Sequence, residues 1–169
     1  MSRPVLVLVG PPGAGKSSVG RAVAGRLGVA FRDTDTDVEA TAGKSIPDVF
    51  IEDGEDRFRE LERDAVERAL QEHDGVLSLG GGAVLSESTR GLLREHVVVL
   101  LDVDLASAAG RVGLGQGRPL IGLNPRAQLR ELMEQRRPLY LAVATHVVDT
   151  SGRPPLQVVE DVTALASQP

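Results

Sequence analysis

Cysteine and tryptophan are absent from this 169-residue chain, and tyrosine occurs once, at Tyr140. Without cysteine there can be no disulfide, no thiolate nucleophile and no Cys-ligated zinc or iron–sulfur centre, and a reducing compartment suits the chain. Long apolar stretches are missing too. The longest runs are Val5 to Val9, Val97 to Leu101 and Leu139 to Ala144, far short of the roughly 18 residues that a membrane span needs. The first of them is also too short for a signal-peptide core. Nor is there an excess of positive charge. Nineteen basic against 24 acidic residues leave a net charge of −5, which argues against a nucleic-acid binder that works by neutralising phosphates. His73, His96 and His146 are scattered, without the helical spacing of a metal site. The expectation is a cytoplasmic enzyme with small-molecule partners, engaging neither nucleic acid nor membrane, and a monomer.

What is present is ordinary for a soluble globular protein: 41% hydrophobic and 25% charged residues, enough for one buried core. Two biases stand out. Glycine is about 11% against a usual ~7%, which predicts loops whose backbone comes close to something. Of the 19 basic residues only Lys16 and Lys44 are lysine, so a lysine at a particular place asks for a chemical reason.

Val5 to Val9 is apolar at every position, as a strand buried on both faces requires. A helix is predicted from about Lys16 to Leu27, stopped by Gly28. A short strand near Ala30 to Arg32 leads into Asp33-Thr34-Asp35, and Ser45 opens a short helix. A long polar helix follows over roughly Glu55 to Glu72. Val76 to Leu79 reads as a strand that ends in three glycines, and Ser86 or Ser88 caps the next helix. Val97 to Asp102 is a fourth strand, and Asp104 caps a helix ending near Arg111. Asn124-Pro125 opens a helix to about Ala144, and His146 to Asp149 is a fifth strand. In the last helix Leu156, Val159, Val162 and Leu165 recur at helical spacing. Strands alternating with helices define an α/β chain with an open, mostly parallel sheet covered on both faces. Ligands in such sheets bind at the carboxyl ends of the strands, where this chain places its glycines and aspartates.

Gly10-Pro-Pro-Gly-Ala-Gly15-Lys16-Ser17 matches the phosphate-binding P-loop pattern G-x-x-x-x-G-K-[ST], between a buried strand and a helix. Small residues let successive N–H groups curl round a phosphate, and the helix N-terminus adds partial positive charge. Lys16 is a compact, mobile charge for the β- and γ-phosphates, and Ser17 is a ligand for Mg²⁺. A chain of this composition would show the pattern by accident roughly 0.002 times. Asp33 and Asp35, with Asp37 two residues on, can place one carboxylate on Mg²⁺ and another on an acceptor hydroxyl.

These residues, in this order, make the chain resemble the shikimate kinases over nearly its whole length. Beside the P-loop and Asp33-x-Asp35, Phe58-Arg59-x-x-Glu62 looks like that family's substrate-binding helix. Gly80-Gly81-Gly82 looks like its central glycine motif, Arg118-Pro119-Leu120 like its lid motif, and Arg136-x-Pro138-x-Tyr140 like its second substrate arginine. The resemblance implies one three-layer αβα P-loop kinase domain over residues 1–169, a five-stranded sheet ordered 2-3-1-4-5 and a lid at about 112–124. It implies transfer of a phosphoryl group from MgATP to shikimate. Gly13, Ala14, Gly15, Lys16, Ser17 and Ser18 would bind the nucleotide, and Arg111 and Arg153 match positions that flank adenine. Ser17 and Asp33 would hold Mg²⁺. Asp35 would accept a hydrogen bond from the reacting hydroxyl and orient it, or act as its base. Arg59 and Arg136 would clamp the shikimate carboxylate, with Gly80, Gly81 and Gly82 close to the substrate. Only family spacing singles out Arg136 over Arg137. Arg118 would swing in with the lid to neutralise charge on the phosphoryl group. Asp37 has no assigned part.

Two rivals share the P-loop. One is another small-molecule kinase, such as a gluconate kinase or a nucleoside monophosphate kinase; the other is a nucleotide-binding module without turnover. The Phe58-Arg59-x-x-Glu62 helix weighs against the first, and the joint presence of Lys16, Asp33, Asp35 and Arg118 against the second.

Overall fold

The computed structural model describes residues 3–112 and 124–166. The elements run β1 (Leu6–Val9), α1 (Lys16–Leu27), β2 (Phe31–Asp33), α2 (Thr34–Ala42), α3 (Ile46–Asp53), α4 (Glu55–Glu72), β3 (Val76–Ser78), α5 (Glu87–Leu93), β4 (Val98–Asp102), α6 (Leu105–Arg111), α7 (Pro125–Val143), β5 (His146–Asp149) and α8 (Pro155–Ala166). The strands form one parallel sheet in the order β2-β3-β1-β4-β5. That is the order the resemblance implied.

Burial follows the two-residue period of a strand. Leu6 and Leu8 of the central strand face one layer, where they join Val23 of α1 and Val158, Val159 and Val162 of α8. Val7 and Val9 face the other, with Val66 and Ala69 of α4, Leu93 of α5 and Tyr140 and Val143 of α7. No residue of β1 is more than 1% exposed. The strand therefore has no polar face to offer, which is why its sequence is unbroken by polar residues. A smaller cluster of Val38, Val49, Phe58, Leu61 and Ala65 ties α2, α3 and α4 together.

Helix ends fall where the capping residues set them. Gly28 adopts φ 68° and returns its N–H to Ala24 and Gly25. Ser45, Ser86, Asp104 and Asn124 each accept the N–H three residues on, which settles the choice between Ser86 and Ser88. Two details differ from the sequence reading. Residues 34–42 form a helix that the pattern did not announce. In α8 Leu156 is 58% exposed and Val158 takes an inward position beside Val159 and Val162. Among the described residues no helix is long and apolar enough to cross a membrane. The expected lid, apart from its ends at Val112 and Asn124, lies outside the described residues, and so does Arg118.

Candidate functional site

The loop after β1 is tight enough to demand glycine. Gly10 and Gly13 have φ of 152° and 81°, and a Cβ on either would lie 2.5 Å from Leu101 O or 2.8 Å from Ala108 O. Gly15 is the N-cap of α1 and supplies no side-chain cap, so no side chain of its own competes with an anion for the first amides of the helix. Lys16 Nζ donates to Gly10 O at 2.7 Å and Pro11 O at 3.2 Å. Desolvation brings this ammonium down to about 8, against the pull of Asp35 and Asp33 and with the repulsion of Arg136. A cleft of about 520 Å³ opens here, lined among others by Gly13, Gly15, Lys16, Ser17, Ser18 and Arg111 on one side and Asp33, Asp35 and Gly81 on the other. Ala14, by contrast, is 1% exposed and belongs to the core beneath the loop.

Asp33 ends β2 and caps α2. Its Oδ1 accepts the Asp35 N–H at 2.9 Å, and its Oδ2 accepts from Ser17 Oγ at 3.1 Å. A hydroxyl and a carboxylate side by side at a phosphate loop suit Mg²⁺, which keeps most of its shell for water and phosphate oxygens. They do not suit a metal caged by protein alone, and among the described residues no cluster of three or more His, Asp or Glu could form such a cage. Asp35, in the first turn of α2, is pushed up to about 6 by burial first and then by Asp33 and Glu62, with Lys16 opposing. Asp37 turns away from this pair: Arg32 Nε reaches it at 2.7 Å, and Arg32 Nη1 reaches Glu72 at 3.1 Å. Asp37 therefore has a structural partner.

Beyond the aspartates, three glycines meet three charged side chains. A Cβ on Gly80 would lie 2.5 Å from Asp35 Oδ1, one on Gly81 3.7 Å from Arg136 Nη1, and one on Gly82 would run into the guanidinium of Arg59. At Gly80 and Gly82 a side chain would displace the Asp35 carboxylate or the Arg59 guanidinium, whereas at Gly81 the Arg136 contact is an ordinary one. Arg59 donates from Nη1 to Glu62 Oε1 at 2.8 Å, stands 3.6 Å from Glu55, and keeps a buried Nε with no hydrogen-bond partner. Glu62 is 4% exposed; burial raises its carboxyl, and Arg59 and Arg136 hold it down. Glu62 enters the sequence only as part of the Phe58-Arg59-x-x-Glu62 motif, and its i,i+3 spacing to Arg59 is the signal that marks it as a partner. Neighbouring arginines part company on α7. Arg137 is exposed and paired with Asp102 at 2.9 Å, whereas Arg136 is half-buried and faces Gly81.

The two arginines matched to adenine also separate. Arg111 lines the cleft and donates to Gly13 O at 3.0 Å and to Thr150 O at 2.7 Å. Arg153 does not line it, and instead donates to Asp149 O at 2.9 Å and pairs with Asp161.

A P-loop on the central strand of a parallel sheet ordered 2-3-1-4-5, with aspartates beyond the neighbouring strand, is the architecture of a P-loop kinase. Comparison with known proteins narrows the class. The shikimate kinase family model matches residues 12–166. The shikimate kinase of Salinispora arenicola is 60% identical over 162 residues, which is 96% of this chain and 97% of that one. The solved shikimate kinase of Acinetobacter baumannii, in complex with shikimate, aligns with a TM-score of 0.89 at 33% identity, covering 98% of this chain and 93% of that one. A gluconokinase from Sinorhizobium meliloti, at TM-score 0.58 and 21% identity over 96% of this chain and 90% of its own, shares the fold alone. The chain belongs to the shikimate kinase family.

Proposed function

We propose that this protein transfers the γ-phosphoryl group of MgATP to the 3-hydroxyl of shikimate, giving shikimate 3-phosphate and ADP. One observation carries the reading: Asp35, Arg136 and Arg59 pack in turn on Gly80, Gly81 and Gly82, and Asp35 and Gly81 line the same cleft as the phosphate loop. The P-loop amides and Lys16 would bind the phosphates, and Arg111 would border the adenine. Arg153, tied to Asp161, is the weaker candidate for that second task. Ser17 and Asp33 would hold Mg²⁺, which when bound neutralises phosphate charge. Asp35 would accept a hydrogen bond from the acceptor hydroxyl and align it with the phosphoryl group. Arg118 is proposed to add positive charge to that group during transfer. The proposed form is a monomer in the cytoplasm.

The sign of each shift fixes a pH dependence. Only the ionised carboxylate of Asp35 can take the hydroxyl proton or accept it with a full negative charge, so kcat/KM should fall as pH drops through about 6. Lys16 carries charge only below its own value, so kcat/KM at subsaturating ATP should also fall as pH rises through about 8. A profile flat from roughly pH 5 to 9 would contradict both assignments.

The substrate is tested through its carboxylate. A charge-assisted bond to such a group contributes roughly 1.5–3 kcal/mol, and lysine keeps the charge of arginine but loses its two-pronged donor geometry. Arg136→Lys should raise the Michaelis constant for shikimate roughly ten- to a hundredfold, at about 1.4 kcal/mol per decade. An analogue whose carboxylate is replaced by a neutral amide should be strongly rejected by the wild type, and less so by Arg136→Lys or Arg59→Lys. Arg137→Lys should discriminate as the wild type does. Equal turnover of acid and amide by the wild type would remove the carboxylate clamp.

A further inference from the structure

We propose that two buried hydroxyls, those of Thr34 and Tyr140, are positioning groups that hold the Gly80–Gly82 loop in place from opposite sides, Thr34 setting it against Asp35 and Tyr140 setting it against Arg136. The proposal rests on the shikimate kinase reading for what the loop serves.

Three consecutive glycines leave a loop with no side chains of its own to anchor it and with the greatest backbone freedom to lose. Backbone bonds bracket the loop, Leu79 N–H to Leu8 O at 3.1 Å before it and Ala83 N–H to Gly80 O at 3.1 Å across it. Two further peptide groups are met by side chains from other elements. Thr34 is 0% exposed, and its Oγ1 accepts the Gly80 N–H at 3.3 Å. Tyr140 is 1% exposed, and its hydroxyl donates to Gly81 O at 2.6 Å. Arg136, one helical turn earlier on α7, faces the same residue, its Nη1 3.7 Å from where a Cβ on Gly81 would lie, and its charge acts on the phenol. Burial pushes the phenol up to about 12, so it stays a donor throughout the working range.

The two anchors act on different groups. Thr34 is joined directly to Asp35, and Gly80 lies against the Asp35 carboxylate so closely that a Cβ there would be 2.5 Å from Oδ1. Their bond therefore fixes the loop relative to the group that aligns the acceptor hydroxyl. Tyr140 holds the carbonyl of Gly81, the residue that Arg136 faces, which fixes the loop relative to the group that holds the carboxylate. Losing the first should be felt in turnover, and losing the second in substrate binding.

The test compares Thr34→Val, Thr34→Ser and Tyr140→Phe with the wild type, reading kcat, the Michaelis constants for shikimate and ATP, and thermal melting. Thr34→Val keeps the shape and leaves the Gly80 N–H buried without an acceptor. It should lower kcat by about tenfold or more, with KM for shikimate within about twofold, from the cost of an unsatisfied buried donor. Thr34→Ser should restore most of kcat. Tyr140→Phe should raise KM for shikimate about tenfold with a smaller change in kcat. ATP should bind all four proteins alike. Wild-type constants in either isosteric variant would overturn the proposal. So would a failure of serine to rescue, or losses in kcat and KM that are alike in both variants and follow their melting temperatures. A wild type inert towards shikimate would remove the underlying reading, whereas an active wild type with indifferent variants would remove this proposal alone.

Discussion

Replacing Lys16 with alanine is expected to abolish phosphoryl transfer in a protein that still folds. Among the described residues the side chain bonds to two carbonyls of its own loop, and it lines the open cleft, where water can take its place. No core contact depends on it. What disappears is the one lysine charge in the cleft, at the place where the P-loop pattern puts the β- and γ-phosphates. Deleting a single preorganised electrostatic donor costs about 10²–10³ in rate, and a full charge in a desolvated position should cost at least that. Turnover by ADP release and a thermal melt together decide it: near-normal rates in a folded variant would break the assignment. Lys44 is the control. It is held by Glu52 and Asp53, both at 2.7 Å, and Lys44→Arg should preserve that surface pairing and the activity.

Asp35→Asn is the second large effect. Asparagine matches the shape but cannot accept with a full negative charge or take up a proton, and general-base assistance is worth roughly 10²–10⁴. A loss of that order in kcat is expected, with ATP affinity by calorimetry nearly unchanged. Asp33→Asn should behave differently. It weakens the pairing with Ser17 and leaves Asp35 ionisable, so the expected change is a higher Mg²⁺ requirement at a given rate. Identical losses in rate, metal dependence and ATP affinity would contradict separate roles for the two carboxylates.

How far the sequence foretold this site depends on what each signal measures. The unbroken apolar run of β1 reports burial on both faces, and the capping residues report helix starts, so the framework and the P-loop were legible. α2 was not. Its sequence TDTDVEATA is rich in Asp and Thr, which favour caps and turns over helix interiors, and only Thr34 and Val38 are buried. The helix exists because Asp33 caps it and Val38 packs into the cluster shared with α3 and α4, which is tertiary information. The arginines proposed to hold the substrate were hidden for a related reason. Helix α4 carries arginines at 57, 59, 63 and 68, and charge alone does not say which turns inward. In the fold the side chain of Arg59 is 19% exposed and that of Arg57 53%. Likewise Arg136 faces Gly81 while Arg137 is spent on Asp102. Thr34 and Tyr140 were quoted only as parts of motifs, because a hydroxyl that meets a backbone group 46 or 59 residues away leaves no local pattern.

The most direct measurement is ADP release from MgATP, run in parallel with shikimate, gluconate and a panel of nucleotides as acceptors, with the phosphorylated product identified. Release should depend on shikimate, with kcat/KM for the other acceptors lower by orders of magnitude and one shikimate 3-phosphate formed per ADP. Comparable turnover of gluconate or a nucleotide, or no acceptor-dependent release at all, would contradict the assignment of shikimate as the substrate of this cleft.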